Sequence, residues 1–213
     1  MGKSAVAQTD AQESNRQHEP SGKPKLRVVA ARGSIADVKA PVVVVGSYKS
    51  IAPTSALKEL DDALQQCITR AGDQGMIGSE LGEVFFVPAM HKEIGARCIL
   101  IAGMGEYGKF NYNDLRYLAM NVCYAVSALK VDSFASVLIG SGEGNLELEA
   151  AVKGLLSGFC DALHRVDSKE RVAEYILVEY DKNRYAEIVK ILTDLISKQL
   201  IENIEITLTE GTV

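Results

Sequence analysis

Residues 98–110 read "CILIAGMGEYGKF". Apolar residues run into Gly103-x-Gly105-x-x-Gly108. That is the spacing of a dinucleotide-binding turn, in which a strand opens through three glycines onto a helix whose N-terminus holds a pyrophosphate. Whether this turn opens a Rossmann unit decides the fold, and three features oppose it. At least three strand-like segments precede the motif, whereas a Rossmann unit carries it in its first βα turn. Gly108 is followed by "KFNYND", which reads as loop, with Asn113 or Asp114 as the helix N-cap. The helix therefore starts after the motif and not inside it. No acidic residue closes a second strand about 20 positions on, where a ribose hydroxyl needs one. Asp132 lies in the turn before "FASVLIG", on the wrong side of that strand.

Outward from this stretch, strands and helices alternate. "LRVVAARG", "APVVVVGSY", "EVFFVPA" and "RCILIAG" read as strands. The valine run suits a sheet covered on both faces. Between the second and third of them, residues 54–70 place Leu57, Leu60, Leu64, Cys67 and Ile68 on one helical face, with Thr54 or Ser55 as N-cap. A second helix over 113–129 carries Leu115, Leu118, Val122, Val126 and Leu129. "FASVLIGSG" is a strand, 146–163 a helix through Val152, Leu155, Leu156 and Phe159, and "VAEYILVEY" a strand. Residues 184–200 form an amphipathic helix through Tyr185, Ile188, Leu192, Leu195 and Ile196, before a last strand in "IENIEITLTEG". This order predicts a three-layer α/β/α sandwich on a largely parallel mixed sheet. Residues 1–25 hold too few apolar side chains to offset their ordering entropy. They are expected to be a disordered polar tail ahead of one domain over 26–213.

The 213 residues carry 23 Lys and Arg against 28 Asp and Glu, a net charge of −5. An acidic balance removes the basic surface that nucleic acid requires. No apolar run approaches the roughly 20 residues that cross a bilayer, so no membrane partner is expected. Cys67, Cys98, Cys123 and Cys160 are widely spaced, three of them among apolar neighbours. Free buried thiols fit that pattern and point to a cytoplasmic protein.

Three strand ends lead into glycine turns: Gly46-Ser47, Gly103-Met104-Gly105, and Gly140-Ser141-Gly142-Glu143-Gly144. In open α/β sheets ligands bind outside the carboxyl ends of strands, where helix amides suit anions. The three turns either line one cleft for a small phosphorylated ligand or simply make tight β-to-α connections. The candidate ligand-binding residues are therefore Gly46, Ser47, Gly103, Gly105, Gly140, Ser141, Gly142 and Gly144. Other chemistry is sparse. His18, His91 and His164 have no helical zinc spacing and read as surface residues. Ser141 is displaced from a nucleophile-elbow pattern and has no evident base. No catalytic residue, metal ligand or cofactor is assigned. "LELEA" at 146–150 is an acidic first helical turn, favourable to the helix dipole and adverse to an anion there.

Several segments in order resemble the N-terminal domain of the leucyl (cytosol) aminopeptidase family. The turn from Gly78 to Glu83 precedes an apolar strand; the strand and turn from Arg97 to Gly105 follow, and a loop leads to a helix opening on Leu115-Arg116. "VKGLLSGFCDALHRVDSK" is similar to the family's glycine-bearing helix and the segment after it, with His164-Arg165-Val166-Asp167 in that place. The resemblance covers roughly residues 36–180. It implies a macro-like α/β/α domain that is not catalytic, packs beside a metallopeptidase domain, and contributes to assembly and active-site access. The family's catalytic domain holds two metals through Asp, Glu and Lys side chains, and the sequence to Val213 is expected to hold the N-terminal domain alone. "QTDAQESNR", residues 8–16, mimics one of its segments but lies in the polar tail. The expected role is a non-catalytic interaction, assembly or regulatory module, with a protein partner or self-association. The alternative follows from the turn at Gly140 to Gly144, which looks like the phosphate loop of ADP-ribose-binding macrodomains. Against it, "GSYKSIAPTS" lacks the Asp that macrodomains commonly use to hold adenine.

Overall fold

A computed structural model describes residues 23–142, 146–166, 171–202 and 204–213. The span read as a tail falls almost wholly outside them. In chain order the elements are β1 (Lys25–Arg32), β2 (Val42–Ser47), α1 (Ser55–Ala63), α2 (Cys67–Asp73), β3 (Val84–Pro88), β4 (Cys98–Gly103), α3 (Tyr112–Ala128), β5 (Ser133–Val137), α4 (Leu148–Leu163), β6 (Glu174–Glu179), α5 (Lys182–Ser197) and β7 (Glu205–Thr212). They build a seven-stranded sheet in the order β3-β4-β2-β5-β6-β1-β7. Only β3, paired to β4, runs antiparallel among the paired strands. The predicted α/β class, with a largely parallel mixed sheet, is the observed one.

The valine run shows why the chain makes three layers. Alternation sends Val42 and Val44 into a core with α3, α4 and α5, and Val43 and Val45 into a second core with α1 and α2. All four are at most 1 % exposed. Leu100 and Ala102 of β4 join the first core, Ile99 and Ile101 the second. Phe134 of β5, Phe159 of α4 and Tyr175 of β6 meet with ring centroids 4.8–5.2 Å apart. The Tyr175 hydroxyl shares a 2.7 Å hydrogen bond with Ser136 Oγ, so its burial leaves no polar atom unpaired. Burial holds that phenol above its ordinary pKa.

The helix predicted over 54–70 is two helices. Gln65 and Gln66 have φ of 54° and 61°, which ends α1 and reverses the chain into α2. Asp61 makes the break tolerable. Its buried carboxylate accepts from the amides of Ile68 (2.8 Å) and Thr69 (3.2 Å) and from the Thr69 hydroxyl, capping α2 from the preceding helix. The break also turns Cys67 out to solvent, whereas an unbroken helix would have put it on the apolar face. Cys98 is half-buried, and Cys123 and Cys160 are buried and free, with burial pushing both thiols up to about 12. For α3 the N-cap is Asn111 and not Asn113 or Asp114. Asn111 Oδ1 accepts from both those amides, and Asp114 accepts from the Asn111 amide, a complete capping box.

Helices α3 and α4 approach closely because α4 presents Gly154 and Gly158 to α3. A Cβ at Gly158 would lie 2.3 Å from the Arg116 carbonyl oxygen and 2.6 Å from Ala119 Cβ. Arg116 then grips Asp161 through two hydrogen bonds, Nε–Oδ2 at 2.5 Å and Nη2–Oδ1 at 3.0 Å. We expect Gly158→Ala to force the helices apart and cost about 1–3 kcal/mol, read from the urea midpoint.

Candidate functional site at the strand carboxyl ends

Between β2 and β5 the connections part: β2 leads to α1 on one face of the sheet, and β5 leads to α4 on the other. Such a switch point opens a crevice at the carboxyl ends of the strands. Here Gly46, Ser47, Gly140 and Gly142 come together around a recess of about 110 Å³, with Tyr48, Met104, Ile139 and the start of α1. It adjoins a wider cleft of about 480 Å³ between Ser34, Ser55, Gly142 and the end of β6.

The glycines do different things. A methyl group on Gly46 would meet Met104 Sδ at 2.5 Å and Ile139 Cγ2 at 3.1 Å, so the molecule's own side chains occupy the space over it. Gly103 and Gly105 face away from the recess, towards the Gly78–Glu83 turn. A Cβ at Gly103 would sit 2.1 Å from the Glu80 carbonyl oxygen. The Gly82 amide donates to Gly103 O (3.0 Å), Gly103 N to Glu83 O (2.8 Å), and Gly105 N to Ser79 O (3.0 Å). Gly140 has φ +86°, and a Cβ there would stand 2.8 Å from the Phe110 ring. Gly142 is different: among the described residues nothing lies within 4 Å of where its Cβ would be. Gly144 lies outside the described residues, as does Glu143.

Ser141 is buried and turned inward, its hydroxyl donating to Leu138 O at 3.3 Å. It is held by Arg184, a residue absent from the sequence-based candidates. Arg184 Nη2 donates to Ser141 O at 3.0 Å and to Ser141 Oγ, while Nε donates to Glu179 Oε2 at 2.8 Å. The residue is placed by the first turn of α5, where the Asp181 carboxylate caps its amide at 2.8 Å. An arginine just inside a helix after an Asp cap is the signal that would have found it. Among the described residues the wide cleft thus holds one guanidinium, engaged on both sides, and two carboxylates, Glu59 and Glu179. Glu59 accepts a hydrogen bond from Ser34. Tyr48 stacks edge-on with Tyr107 at 5.1 Å, and its buried hydroxyl has no partner among the described residues. Burial, with the neighbouring Tyr107, raises its pKa. Helix α1 opens at the recess with no side-chain cap, unlike α3 and α5. Among the described residues no three His, Cys, Asp or Glu side chains are grouped to hold a metal, and no helix is long and apolar enough to cross a membrane.

A mixed sheet in this order, layered by helices on both faces and cleft at the carboxyl ends, is a macro-like domain. The model of the cytosol aminopeptidase family's N-terminal domain matches residues 44–169, more than half of the chain, and the chain belongs to that family. Among solved structures it is similar to the Oceanobacillus iheyensis macrodomain with ADP: TM-score 0.62, 16% identity, 79% of this chain and 91% of that one. The Trypanosoma brucei macrodomain in complex with ADP-ribose gives TM-score 0.65 at 14% identity, covering 78% and 68%. The macrodomain of Mycobacterium tuberculosis DarG gives 0.57 at 15%, covering 70% and 96%. At these identities the likeness establishes the fold. A comparison with curated proteins finds no match.

These packing environments separate the glycines by experiment. Gly142→Ala is expected to stay within about 0.5 kcal/mol of the parent in urea unfolding. Gly140→Ala should cost about 1–3 kcal/mol through its positive φ and the Phe110 contact, and Gly103→Ala at least about 2 kcal/mol through the Glu80 carbonyl.

Proposed function

We propose that this chain, as one macro-like domain over residues 26–213, is a non-catalytic module for interaction, assembly or regulation in the cytoplasm. One observation carries the reading: at the switch point the domain's own Met104 and Ile139 take the space over Gly46 and narrow the recess, and the guanidinium beside it is engaged. Gly46 cannot gain a methyl group without striking Met104, and Arg184 is tied to Ser141 and Glu179. A site for acyl or phosphoryl chemistry needs a free nucleophile with a base, or free charge aimed at the reacting group. Ser141, Arg184 and Glu179 are already bonded to one another, and the buried thiols titrate far above neutral pH. The purified chain with added zinc or manganese is expected to leave an aminoacyl amide uncleaved; hydrolysis at a rate proportional to protein concentration would sink the reading.

A second reading is favoured by two features of the same cleft: the uncapped start of α1 and the open face of Gly142. These supply amides and space for a small phosphorylated ligand, and the macrodomains of Trypanosoma brucei and Oceanobacillus iheyensis to which the chain is similar are described with ADP-ribose or ADP. On that reading Gly46, Ser47, Gly140, Ser141 and Gly142 border the ligand, with Gly103 and Gly105 behind them. ADP-ribose at about 100 times its Kd would raise Tm by roughly 5–10 °C, and Gly142→Glu would abolish the rise. No shift at millimolar ligand removes this alternative.

A further inference from the structure

The two edges of the sheet are not alike. Edge strand β3 has five residues and ends in Pro88, which donates nothing to a ladder. Edge strand β7, "EITLTEGT", has eight residues without Pro, Lys or a bulge, and pairs in unbroken register with β1 from Lys25↔Glu205 to Arg32↔Thr212. Among the described residues no strand pairs with its outer side. The Glu205 amide donates to Pro24 O at 2.9 Å and the Val213 amide to Arg32 O at 3.3 Å. Amides alternate in direction along a strand, so those of Ile206, Leu208 and Glu210 point outward, with no strand among the described residues to pair them.

We infer that the outer edge of β7 pairs antiparallel with β7 of a second copy, across a two-fold axis at Thr207, so that two sheets become one. This rests on the assembly reading above and names its surface. Directly opposed residues share a face, so only registers that match even with even and odd with odd positions are allowed. Glu205 and Glu210 lie on opposite faces and can never oppose each other. The register centred on Thr207 opposes Ile206 to Leu208 of the copy twice on the α5 side, Thr207 to Thr207, and Glu205 to Thr209 on the other. Ile206 and Leu208 are half-buried against the core beneath α5, and a recess of about 430 Å³ lined by Leu195, Ile196 and Ile204 lies beside Ile206. The copy's strand extends the cover of that recess while satisfying the outward amides. Thr207 and Thr209 are exposed in the single chain, so each can change without loss of its own core.

The register predicts opposite responses from neighbouring threonines. Thr207→Glu sets two carboxylates face to face and is expected to weaken the dimer about threefold or more; Thr209→Lys sets two lysines against two Glu205 carboxylates and is expected to tighten it about fivefold. Within one chain Glu at 207 sits beside Arg27, its register partner on β1, so the monomer stays folded. Sedimentation equilibrium from micromolar to millimolar protein measures both, and hydrogen exchange at Ile206 and Leu208 should slow with concentration. A gain for Thr209→Lys decides the question even if Thr207→Glu fails to fold. A chain that remains monomeric throughout overturns the inference. A dimer indifferent to both substitutions also overturns it, while leaving assembly through another surface, and the peptidase assay, untouched.

Discussion

Everything in this fold follows from the need to dry both sides of one strand. Val42 to Val45 have no polar face, so the strand they form is stable only with a layer of helices against each side. That requirement places β2 in the interior of the sheet, between β4 and β5. It also divides the helices, with α1 and α2 on one side and α3, α4 and α5 on the other. The crevice at the strand ends is a by-product of this division, because adjacent strands must send their connections to opposite layers. The candidate site is therefore inherited from the packing of the sheet, and its position says nothing about its occupant.

At the crevice and away from it, the protein's own atoms turn glycines from permissive to obligatory. Gly46 makes room for Met104, Gly103 for the Glu80 carbonyl, and Gly158 for the backbone of α3. In each case the missing Cβ is used by the protein itself. Of these turn glycines, Gly142 alone has no described atom within 4 Å of its would-be Cβ, and Arg184 fixes the neighbouring Ser141 in place.

Strand order by type, the apolar helical stripes and the three-layer class are legible in the chain because two-sided burial and 3.6-residue periodicity are local signals. The break between α1 and α2 is not. Gln65 and Gln66 carry no turn signature, and the left-handed backbone is tolerated only because Asp61, several residues earlier, satisfies the start of α2. The α3 cap lies two residues earlier than expected because Asn111, Asn113 and Asp114 are all good caps, and only the folded loop chooses among them. The glycine turns at Gly46, Gly103 and Gly140 are readable as strand ends. Their partners are hidden, since the atoms that crowd Gly46 and Gly103 come from elsewhere in the chain, beyond the reach of spacing. The Asp181 cap marks Arg184 as the start of α5, but its partner Ser141 is hidden for the same reason, since it lies on a different connection.

The position of β1 carries a consequence for biosynthesis. The strand emerges first among the described elements, yet its neighbours in the sheet are β6 and β7, beginning at Glu174 and Glu205. A growing chain can complete the β2, β4 and β5 ladders on the ribosome while its first strand, apolar through Leu26, Val28 and Ala30, waits without a partner. Such long-range pairing slows folding and leaves an adhesive segment exposed until β6 and β7 have been made. The two strands that shelter it are made more than 140 residues later, so a truncation that removes β6 or β7 would bare this strand.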